Sequence, residues 1–253
     1  MKYYIISDIH GYYNATIEAL NEKGYFSDTE PHKLIICGDL LDRVKQAKEI
    51  IDFVLDLMKK NEVILIRGNH EDLLIDLVDN IYKYLPDPSV YHHGTNGTYK
   101  TALELARMKK LDVELYPESF RNRVLCSPFV RKIMENMIDY YETDNYIFVH
   151  GWIPCNAYKA RGKETTYSYN PNWRSASKKD WEDARWYNGM AAHHFGVREK
   201  NKTIVCGHYH SAWGHQVFEG KNDDFSPYYN EGIIAIDGST AYTKKVNCIV
   251  IED

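Results

Sequence analysis

Short apolar runs and helical repeats alternate over the first 66 residues, and this alternation limits the fold more than any other feature. The apolar runs lie at 2–7, 33–37 and 62–66, and the helical repeats at 14–23 and 45–60. Apolar runs of this length that are rich in β-branched residues form buried strands. Asn14 is the predicted N-cap of the first helix, and Gly24 is its predicted C-cap. The order of strands and helices predicts a parallel sheet with right-handed crossovers.

Polar side chains suited to metal binding follow five strand-like runs, the three above and two further runs at 146–149 and 203–206. The residues at these ends are Asp8 and His10, Asp39, Asn69 and His70, His150, and His208 and His210. Because ligands bind at the carboxyl ends of the strands in open α/β sheets, we expect these side chains to meet at one edge.

The expected ligand set combines carboxylates and imidazoles with one asparagine carbonyl and no thiolate. Such donors suit divalent Mn, Fe, Zn, Co or Ni better than copper or an iron–sulfur cluster. The set is too large for one ion, and two ions ~3.5–4 Å apart need a bridging carboxylate, for which Asp39 is the natural candidate. A pair of this kind binds a phosphoryl oxygen and lowers the pKa of a bridging water.

The rest of the chain contains two long segments and two further strands. Residues 72–145 carry several amphipathic stretches, which predict a helical insertion packed on the sheet or near its mouth. Residues 152–202 are rich in aromatic side chains but weakly periodic, which predicts a long loop segment. Apolar runs at 233–236 and 246–251 predict strands. Since no linker or repeat is evident, residues 1–253 are predicted to form one domain.

Charge and cysteine content restrict the partners and the compartment. The 31 basic and 36 acidic residues give a net charge of −5, which argues against nonspecific nucleic-acid binding. The five cysteines form no CxxC pair, so we expect reduced thiols and a cytoplasmic protein. No apolar run approaches the ~20 residues of a membrane span, and the first strand leaves no room for a signal peptide. We therefore expect neither a membrane anchor nor a leader.

The motifs at the strand ends resemble those of the calcineurin-like metallophosphoesterases. The likeness is closest to the phosphoprotein-phosphatase branch, with its bacterial Ser/Thr phosphatases and diadenosine tetraphosphatases. The matching segments, in family order, are Asp8-Ile9-His10-Gly11, Gly38-Asp39-Leu40-Leu41-Asp42-Arg43, Arg67-Gly68-Asn69-His70-Glu71, His150-Gly151 and Gly207-His208-Tyr209-His210. The resemblance implies a four-layer α/β/β/α sandwich with the helical insertion over one side.

The resemblance also implies a role for each matching residue. The implied ligands are Asp8, His10 and His210 for one cation, Asn69, His150 and His208 for the second, and Asp39 for both. His70 is implied to be the general acid that protonates the leaving oxygen, with Asp42 orienting it. Arg43 and Asn69 are implied to bind the phosphoryl group, because a guanidinium matches two of its oxygens. A surface ion pair between Arg43 and Asp42 is the structural alternative.

Three details qualify the match. A second phosphate-binding arginine is expected between the last two histidine motifs, with Arg185 ahead of Arg174 and Arg161 as the candidate. Val44 replaces the glycine usual after the Asp-Arg pair. The segments Asn96-Gly97 and Ile236-Asp237-Gly238-Ser239 are partial matches to further family loops.

These features predict a metal-dependent phosphoric ester hydrolase. The favoured substrate is a phosphoserine or phosphothreonine protein, or a small phosphoester. The alternative is a nucleotide or diadenosine-polyphosphate hydrolase or phosphodiesterase, because the aromatic stretch 152–190 is suited to stacking a base. His210 stands where many protein phosphatases and diadenosine hydrolases have no histidine, and in this the motif resembles the broader phosphodiesterase group. A noncatalytic scaffold is disfavoured, since every ligand and His70 is present. The pairs His92-His93 and His193-His194 are expected to be solvent-exposed.

Overall fold

The computed structural model describes residues 1–43, 46–159 and 165–253, which form three sheets and their connecting helices. The strands are β1 (Lys2–Ile6), β2 (His32–Cys37), β3 (Val63–Ile66), β4 (Tyr141–Glu142), β5 (Tyr146–Phe148), β6 (Asn156–Lys159), β7 (Thr165–Ser168), β8 (Thr203–Cys206), β9 (Tyr228–Asn230), β10 (Ile233–Ala235) and β11 (Ile249–Glu252). The α-helices are α1 (Tyr13–Glu22), α2 (Ala47–Lys60), α3 (Asn69–Asp79), α4 (Ile81–Tyr84), α5 (His92–Thr95), α6 (Thr98–Ala106), α7 (Lys110–Leu115), α8 (Pro117–Leu125), α9 (Lys178–Ala184), α10 (Gly189–His194), α11 (Ser211–Glu219) and α12 (Thr240–Thr243). Short 3₁₀ and π turns lie at Tyr25–Ser27, Pro88–Val90, Phe129–Ile133, Met134–Asn136 and Trp173–Ser175.

The first sheet has the strand order β11-β1-β2-β3. Strands β1, β2 and β3 run parallel, and β11 closes the edge antiparallel to β1. The strand–helix alternation of the sequence predicts this parallel arrangement. Because the three parallel strands end at one edge, the residues that follow them are brought together there.

The second sheet has the order β4-β5-β8-β10-β9. Its three central strands, β5, β8 and β10, are parallel, whereas the two edge strands are antiparallel to their neighbours. His150 follows β5 and His208 follows β8, so this sheet delivers the histidine motifs to the same edge. Strands β6 and β7 form a separate antiparallel hairpin.

Alternate residues along the strands face two different apolar layers. Ile5 and Ile35 of the first sheet contact Phe148 and Val205 of the second in a buried cluster between the sheets. Ile36, the neighbour of Ile35, lies instead in the cluster formed with the helices on the outer face. A third cluster covers the outer face of the second sheet. The four layers are therefore α/β/β/α, as the resemblance implies.

The segment 72–145 is helical only as far as about residue 136. Its helices share a buried cluster with the outer face of the first sheet, through residues such as Phe120 and Val113. Ile138 then forms a parallel bridge with Ile66, and β4 pairs with β5. The expectation of helix up to residue 145 is wrong at its end, because sheet edges offer unpaired backbone groups that this stretch satisfies.

The segment 152–202 is more ordered than its weak periodicity predicts. It contains the β6–β7 hairpin, α9 and α10. Trp152, Trp173 and Trp181 are buried in the cluster on the second sheet, so they are core residues and do not line a groove. Trp186 differs from these three, because 48% of its surface is exposed.

Two local predictions are also wrong. Helix α1 begins at Tyr13 with Tyr12 at the N-cap position and no side-chain cap, so Asn14 lies inside the first turn. Each adjacent histidine pair has one buried member: His93 contacts Asp76, and His193 contacts the carbonyl of Glu231. Both rings have polar partners inside the protein, which sequence spacing does not reveal. Within the described ranges, no helix combines the length and apolar character needed to cross a bilayer.

Candidate metal centre

The strand ends turn through backbone conformations that side chains rarely adopt. Asp8, His10, Asp39 and His208 have φ values of 51°, 45°, 55° and 63°. Left-handed φ values at non-glycine residues are uncommon, and they cluster at functional sites, where the surrounding structure enforces them. The fold thus holds four of the expected ligands in strained positions at one edge of the two sheets.

Asp39 lies between two groups of metal-type donors. Its Oδ2 is 3.7 Å from His10 Nε2 and 3.8 Å from His70 Nε2, and its Oδ1 is 3.4 Å from His150 Nε2. The donor atoms of His10, Asp39 and His70 lie within 4.8 Å of one another, and so do those of Asp39, His150 and His208. The carboxylate common to both groups is the residue expected to bridge two cations.

The histidine rings are oriented by partners of Nδ1. His10 Nδ1 is 3.1 Å from the carbonyl oxygen of Leu41, and His150 Nδ1 is 2.7 Å from that of Cys37. His210 Nδ1 is 2.8 Å from Asp237 Oδ2. A ring that donates from Nδ1 keeps Nε2 available as a ligand, which is the usual arrangement at metal sites.

Asp8 and Asn69 complete the set of expected ligands. Asp8 Oδ2 accepts the backbone N–H of His208 at 2.9 Å and the hydroxyl of Ser7. Asn69 Oδ1 lies 2.7 Å from His150 Nε2. The structure brings all seven expected ligands to the same edge. Six of them line one pocket, among them the partly exposed His210, and His150 is buried beside them.

The electrostatics of the site favour bound cations. Burial raises the pKa of Asp8, and it raises the pKa of Asp39 to about 7. Burial lowers the pKa of His10 to about 3 and that of His208 well below its ordinary value. Buried carboxylates are stabilised by counter-charge, and neutral imidazoles are ligands, so these residues fit a pair of divalent cations.

His70 has a different environment from the other rings. Its Nδ1 lies 2.6 Å from Asp42 Oδ2, which also accepts the hydroxyl of Thr98 at 2.9 Å. Burial opposes the charged form, but the negative charge of Asp39 and the hydrogen bond that His70 donates to Asp42 outweigh it and raise the pKa of His70 to about 9. Without bound cations the ring therefore favours the protonated form at neutral pH, and it lines the pocket beside Asp39.

Glu71 joins the loops that carry these residues. Its Oε2 accepts the backbone N–H groups of Gly68 at 2.8 Å and Asp39 at 3.1 Å, and Oε1 accepts that of Leu40 at 3.0 Å. The buried carboxylate thus caps the first turn of α3 and fixes the loop after β2. Glu71 positions Asp39 relative to Asn69 and His70.

The Arg43 guanidinium is held at the pocket by neutral acceptors. Nη1 donates to the carbonyl of Thr95 at 3.0 Å, and Nη2 lies 3.4 Å from Asn96 Oδ1. These partners leave the positive charge available to an anion, whereas the carboxylate of Asp42 is engaged by His70 and Thr98. The surface ion pair with Asp42 is therefore not the arrangement observed.

The other candidate arginines are placed differently. Arg185 is buried, and its guanidinium donates to Asp72 at 2.6 Å and to Asp139. Arg174 donates to Glu142 and Glu199. Two carboxylates already neutralise the charge of each arginine, so neither Arg185 nor Arg174 has a guanidinium free for a phosphoryl group. Arg161 lies outside the described residues, as does Val44.

The site opens into a pocket of about 500 Å³. Its lining includes Arg43, Asn96 and Asp237 together with two exposed aromatic rings, Trp186 and Tyr242. Sequence reasoning assigned no role to Tyr242 and did not separate Trp186 from the buried tryptophans. The sequence could have indicated Tyr242 as a pocket residue, because it closely follows Ile236-Asp237-Gly238-Ser239, a partial match to a family loop.

The fold and the shared carboxylate define a calcineurin-like phosphoesterase. The model of the family described as calcineurin-like phosphoesterase matches residues 1–236 of this chain. The chain therefore belongs to this family of metal-dependent phosphoric ester hydrolases.

The chain is also similar to individual known proteins and to solved structures. The asymmetrical bis(5'-nucleosyl)-tetraphosphatase PrpE of Bacillus subtilis (strain 168) is 28% identical over 226 residues, which cover 81% of this chain and 84% of the relative. The protein of the same name from Bacillus velezensis is 32% identical over 120 residues, 45% of each chain. The cold-active protein tyrosine phosphatase of a Shewanella species covers 100% of this chain and 75% of its own, with a TM-score of 0.52 and 18% identity, which shows a common fold.

Proposed function

We propose that this chain hydrolyses dinucleoside polyphosphates with two divalent cations, manganese first among them, at the strand-end site. The observation that carries the proposal is Asp39, whose carboxylate lies between His10 on one side and His150 and His208 on the other, beside a pocket with Arg43. When bound, such a pair of cations polarises phosphoryl oxygens and lowers the pKa of a water molecule. Arg43 and the family membership support phosphoryl chemistry, and the scattered free thiols support a cytoplasmic location.

The proposed ligands keep the order that the sequence suggests. We assign Asp8, His10 and His210 to one cation, Asn69, His150 and His208 to the second, and Asp39 to both. Ring orientation supports this assignment, since His10, His150 and His210 each have Nδ1 engaged by another group. Seven protein ligands around two ions also leave positions open for water and for phosphoryl oxygens.

His70 is proposed to supply the proton that the leaving oxygen needs. Asp42 fixes the ring through Nδ1, and this hydrogen bond to a carboxylate favours the protonated form of the ring. A general acid must lie within hydrogen-bond reach of the group it protonates, and His70 lines the pocket beside Asp39. Arg43 and Asn69 are proposed to orient the phosphoryl group so that the leaving oxygen faces His70.

The proposed substrate class differs from the one that the sequence favours. A phosphoserine or phosphothreonine protein fits the same chemistry, but the curated relatives are named bis(5'-nucleosyl)-tetraphosphatases. Trp186 adds a structural reason, because its exposed ring lies at the pocket and meets the His208 ring edge-on at 5.7 Å between centroids. Exposed aromatic faces beside phosphate-binding groups are suited to stacking a base.

The decisive comparison is between two substrates on one enzyme preparation. The protein reconstituted with manganese is assayed for kcat/KM on diadenosine tetraphosphate and on a phosphoserine peptide. We expect diadenosine tetraphosphate to be the better substrate by at least about tenfold, which corresponds to about 1.4 kcal/mol of transition-state stabilisation. A higher kcat/KM for the peptide would overturn the choice of substrate and restore the protein phosphatase.

The base-stacking part has a separate test. Trp186→Ala is expected to raise KM for diadenosine tetraphosphate by roughly 5- to 160-fold, because stacking a base on an aromatic ring contributes about 1–3 kcal/mol. Inorganic tetraphosphate, which has no base, is expected to keep its KM. Tyr116→Ala is the matched control, since Tyr116 is an exposed aromatic residue between α7 and α8 and does not line the pocket. An equal rise in KM for both phosphates would contradict stacking.

A further inference from the structure

A second histidine–carboxylate cluster lies away from the strand ends, between α3 and α5. It consists of Asp76 on α3 and of His92 and His93 at the start of α5. His93 Nε2 lies 3.1 Å from Asp76 Oδ2, and His92 Nε2 lies 3.8 Å from the same oxygen. The two imidazole rings are adjacent, with centroids 3.9 Å apart. None of these residues belongs to the strand-end ligands.

The spacing of the donors suits a small divalent cation. Each residue offers one ligand atom, and the three atoms lie within 4.8 Å of one another. A tetrahedral cation with bonds of about 2.0–2.2 Å separates its ligand atoms by roughly 3.3 Å, which lies between the two distances to Asp76. Two imidazoles and a carboxylate are donors typical of zinc and similar borderline ions.

The burial of the three side chains is graded from the inside outwards. His93 is fully buried, whereas the side chains of His92 and Asp76 are 49% and 40% exposed. An ion therefore has a path from solvent, and water has room to complete the coordination. The cluster is therefore buried on the side of His93 and open to solvent on the side of His92 and Asp76.

Hydrogen bonds from neighbouring residues hold the carboxylate in place. Tyr84 donates its hydroxyl to Asp76 Oδ2 at 2.6 Å, and Asn80 donates to Oδ1 at 2.9 Å. A carboxylate has about four acceptor positions, so these bonds leave it able to bind a cation. Ligating carboxylates at metal sites are commonly held by such second partners.

The cluster is not a completed hydrogen-bond network. Among the described residues, Nδ1 of His93 is buried and has no hydrogen-bond partner. Buried polar atoms in a purely structural cluster are paired in the great majority of cases. The ring of His93 therefore meets Asp76 through Nε2, and among the described residues Nδ1 has no hydrogen bond that a cation bound at Nε2 would have to break.

We propose that Asp76, His92 and His93 bind a third divalent cation of the zinc type, separate from the two cations of the proposed catalytic pair. The cation ties α5 to α3. Helix α3 begins with Asn69 and His70. Helix α5 ends at Thr95, and Thr95 and the next residue, Asn96, are the partners of Arg43. The site therefore stabilises the contact between the segment that holds Arg43 and the helix that carries His70.

The number of bound ions per chain tests this proposal. The wild-type protein, His92→Ala and His194→Ala are each dialysed against the same zinc solution, and bound zinc is measured by elemental analysis. We expect His92→Ala to hold one ion fewer than the wild type. His194→Ala is the matched control, because His194 is also an exposed histidine near a helix end, and it is expected to keep the wild-type count. Equal counts in wild type and His92→Ala would overturn the proposal.

A stability measurement supplies the second readout and covers the chance that one variant changes the fold. Zinc is expected to raise the thermal midpoint of the wild type more than that of His92→Ala or Asp76→Asn, since a ligand that binds the native state stabilises it. Asp76→Asn keeps the shape of the side chain that Tyr84 and Asn80 contact. The same zinc-dependent shift in all three proteins would contradict a third site, and neither readout depends on catalytic activity.

Discussion

Two neighbouring histidines at the catalytic edge have opposite protonation behaviour. The rings of His10 and His70 are 4.7 Å apart. Nδ1 of His10 faces a backbone carbonyl, and burial lowers its pKa to about 3. Nδ1 of His70 faces the carboxylate of Asp42, and its pKa rises to about 9. Environments that push the pKa values of neighbouring groups apart separate a metal ligand from an acid, which is why we assign these two rings different roles.

The acid role of His70 predicts a dependence on the leaving group. His70→Asn is expected to lower kcat on an alkyl phosphate by about 10²- to 10⁴-fold, the range typical of general acid catalysis. Turnover of p-nitrophenyl phosphate is expected to fall much less, because nitrophenolate leaves without a proton. Steady-state kinetics on both esters checks this, and equal losses would show that His70 serves the cations or the fold instead.

The raised pKa of His70 also predicts how the metal-free protein responds to pH. Its folded pKa of about 9 lies above the ordinary value of 6.5, so the native state binds the proton more tightly than the unfolded state. The resulting stability is fully present below pH 6.5 and is lost as pH rises to 9, by up to about 3 kcal/mol. Urea unfolding of chelator-treated protein measures it, and His70→Asn is expected to flatten the curve in this window. An unchanged slope in His70→Asn would contradict the assignment.

At the scale of the element, the first position of the loop after β2, Gly38, has no room for a side chain. Gly38 has φ +83°, and a Cβ there would lie 2.6 Å from His150 Nδ1 and 2.7 Å from Gly68 Cα. This close approach lets the loops after β2 and β3 and the histidine after β5 meet around Asp39. Gly196, after α10, has nearly the same backbone, with φ +84°, but nothing within 4 Å of its Cβ position.

This pair of glycines separates backbone strain from crowding. Gly196→Ala is expected to lower the free energy of unfolding by about 1–2 kcal/mol, the cost of a left-handed backbone. Gly38→Ala is expected to cost about 1–3 kcal/mol more, because its Cβ has to displace backbone and His150. Denaturant unfolding of both variants measures the difference. Equal losses would mean that the loops around Asp39 are not closely packed.

Whether the place of a site residue can be predicted from the sequence depends on which contacts hold that residue. Asp8, Asp39 and His150 were predictable, because a strand end fixes its place from local pattern. Arg185 was not, because its role depends on Asp72 and Asp139, which lie far away in the chain. For the same reason, burial distinguishes Trp186 from Trp181, although both belong to one aromatic stretch.

At the scale of the whole molecule, the insertion and the first sheet share one core. Phe120 of α8 belongs to the same buried cluster as Leu34 and Ile36 of β2. We therefore propose that the described residues fold as one domain and that the insertion does not unfold separately. The strand pattern of the sequence predicts a parallel sheet and further strands, and the family resemblance implies the second sheet, but neither reveals that this insertion contributes β4 to that second sheet.

A buried aromatic in the insertion tests that cooperation. Phe120→Ala is expected to lower the free energy of unfolding by about 3–5 kcal/mol, the usual cost of emptying a core aromatic site. Amide hydrogen exchange in β1 and β2 is expected to accelerate along with that in α8. Leu115→Ala, at a residue that is 61% exposed, is the control and is expected to change stability by less than about 0.5 kcal/mol. Faster exchange confined to the insertion would contradict a common core.

The most direct test of the central claim, a pair of cations that shares Asp39, is anomalous diffraction from crystals grown with excess manganese. We expect two manganese peaks at the strand-end edge. Asp39 is expected to contact both ions at about 2.0–2.3 Å, either through one shared oxygen or through one carboxylate oxygen on each ion. A single peak there, or two peaks that Asp39 does not contact, would contradict the claim.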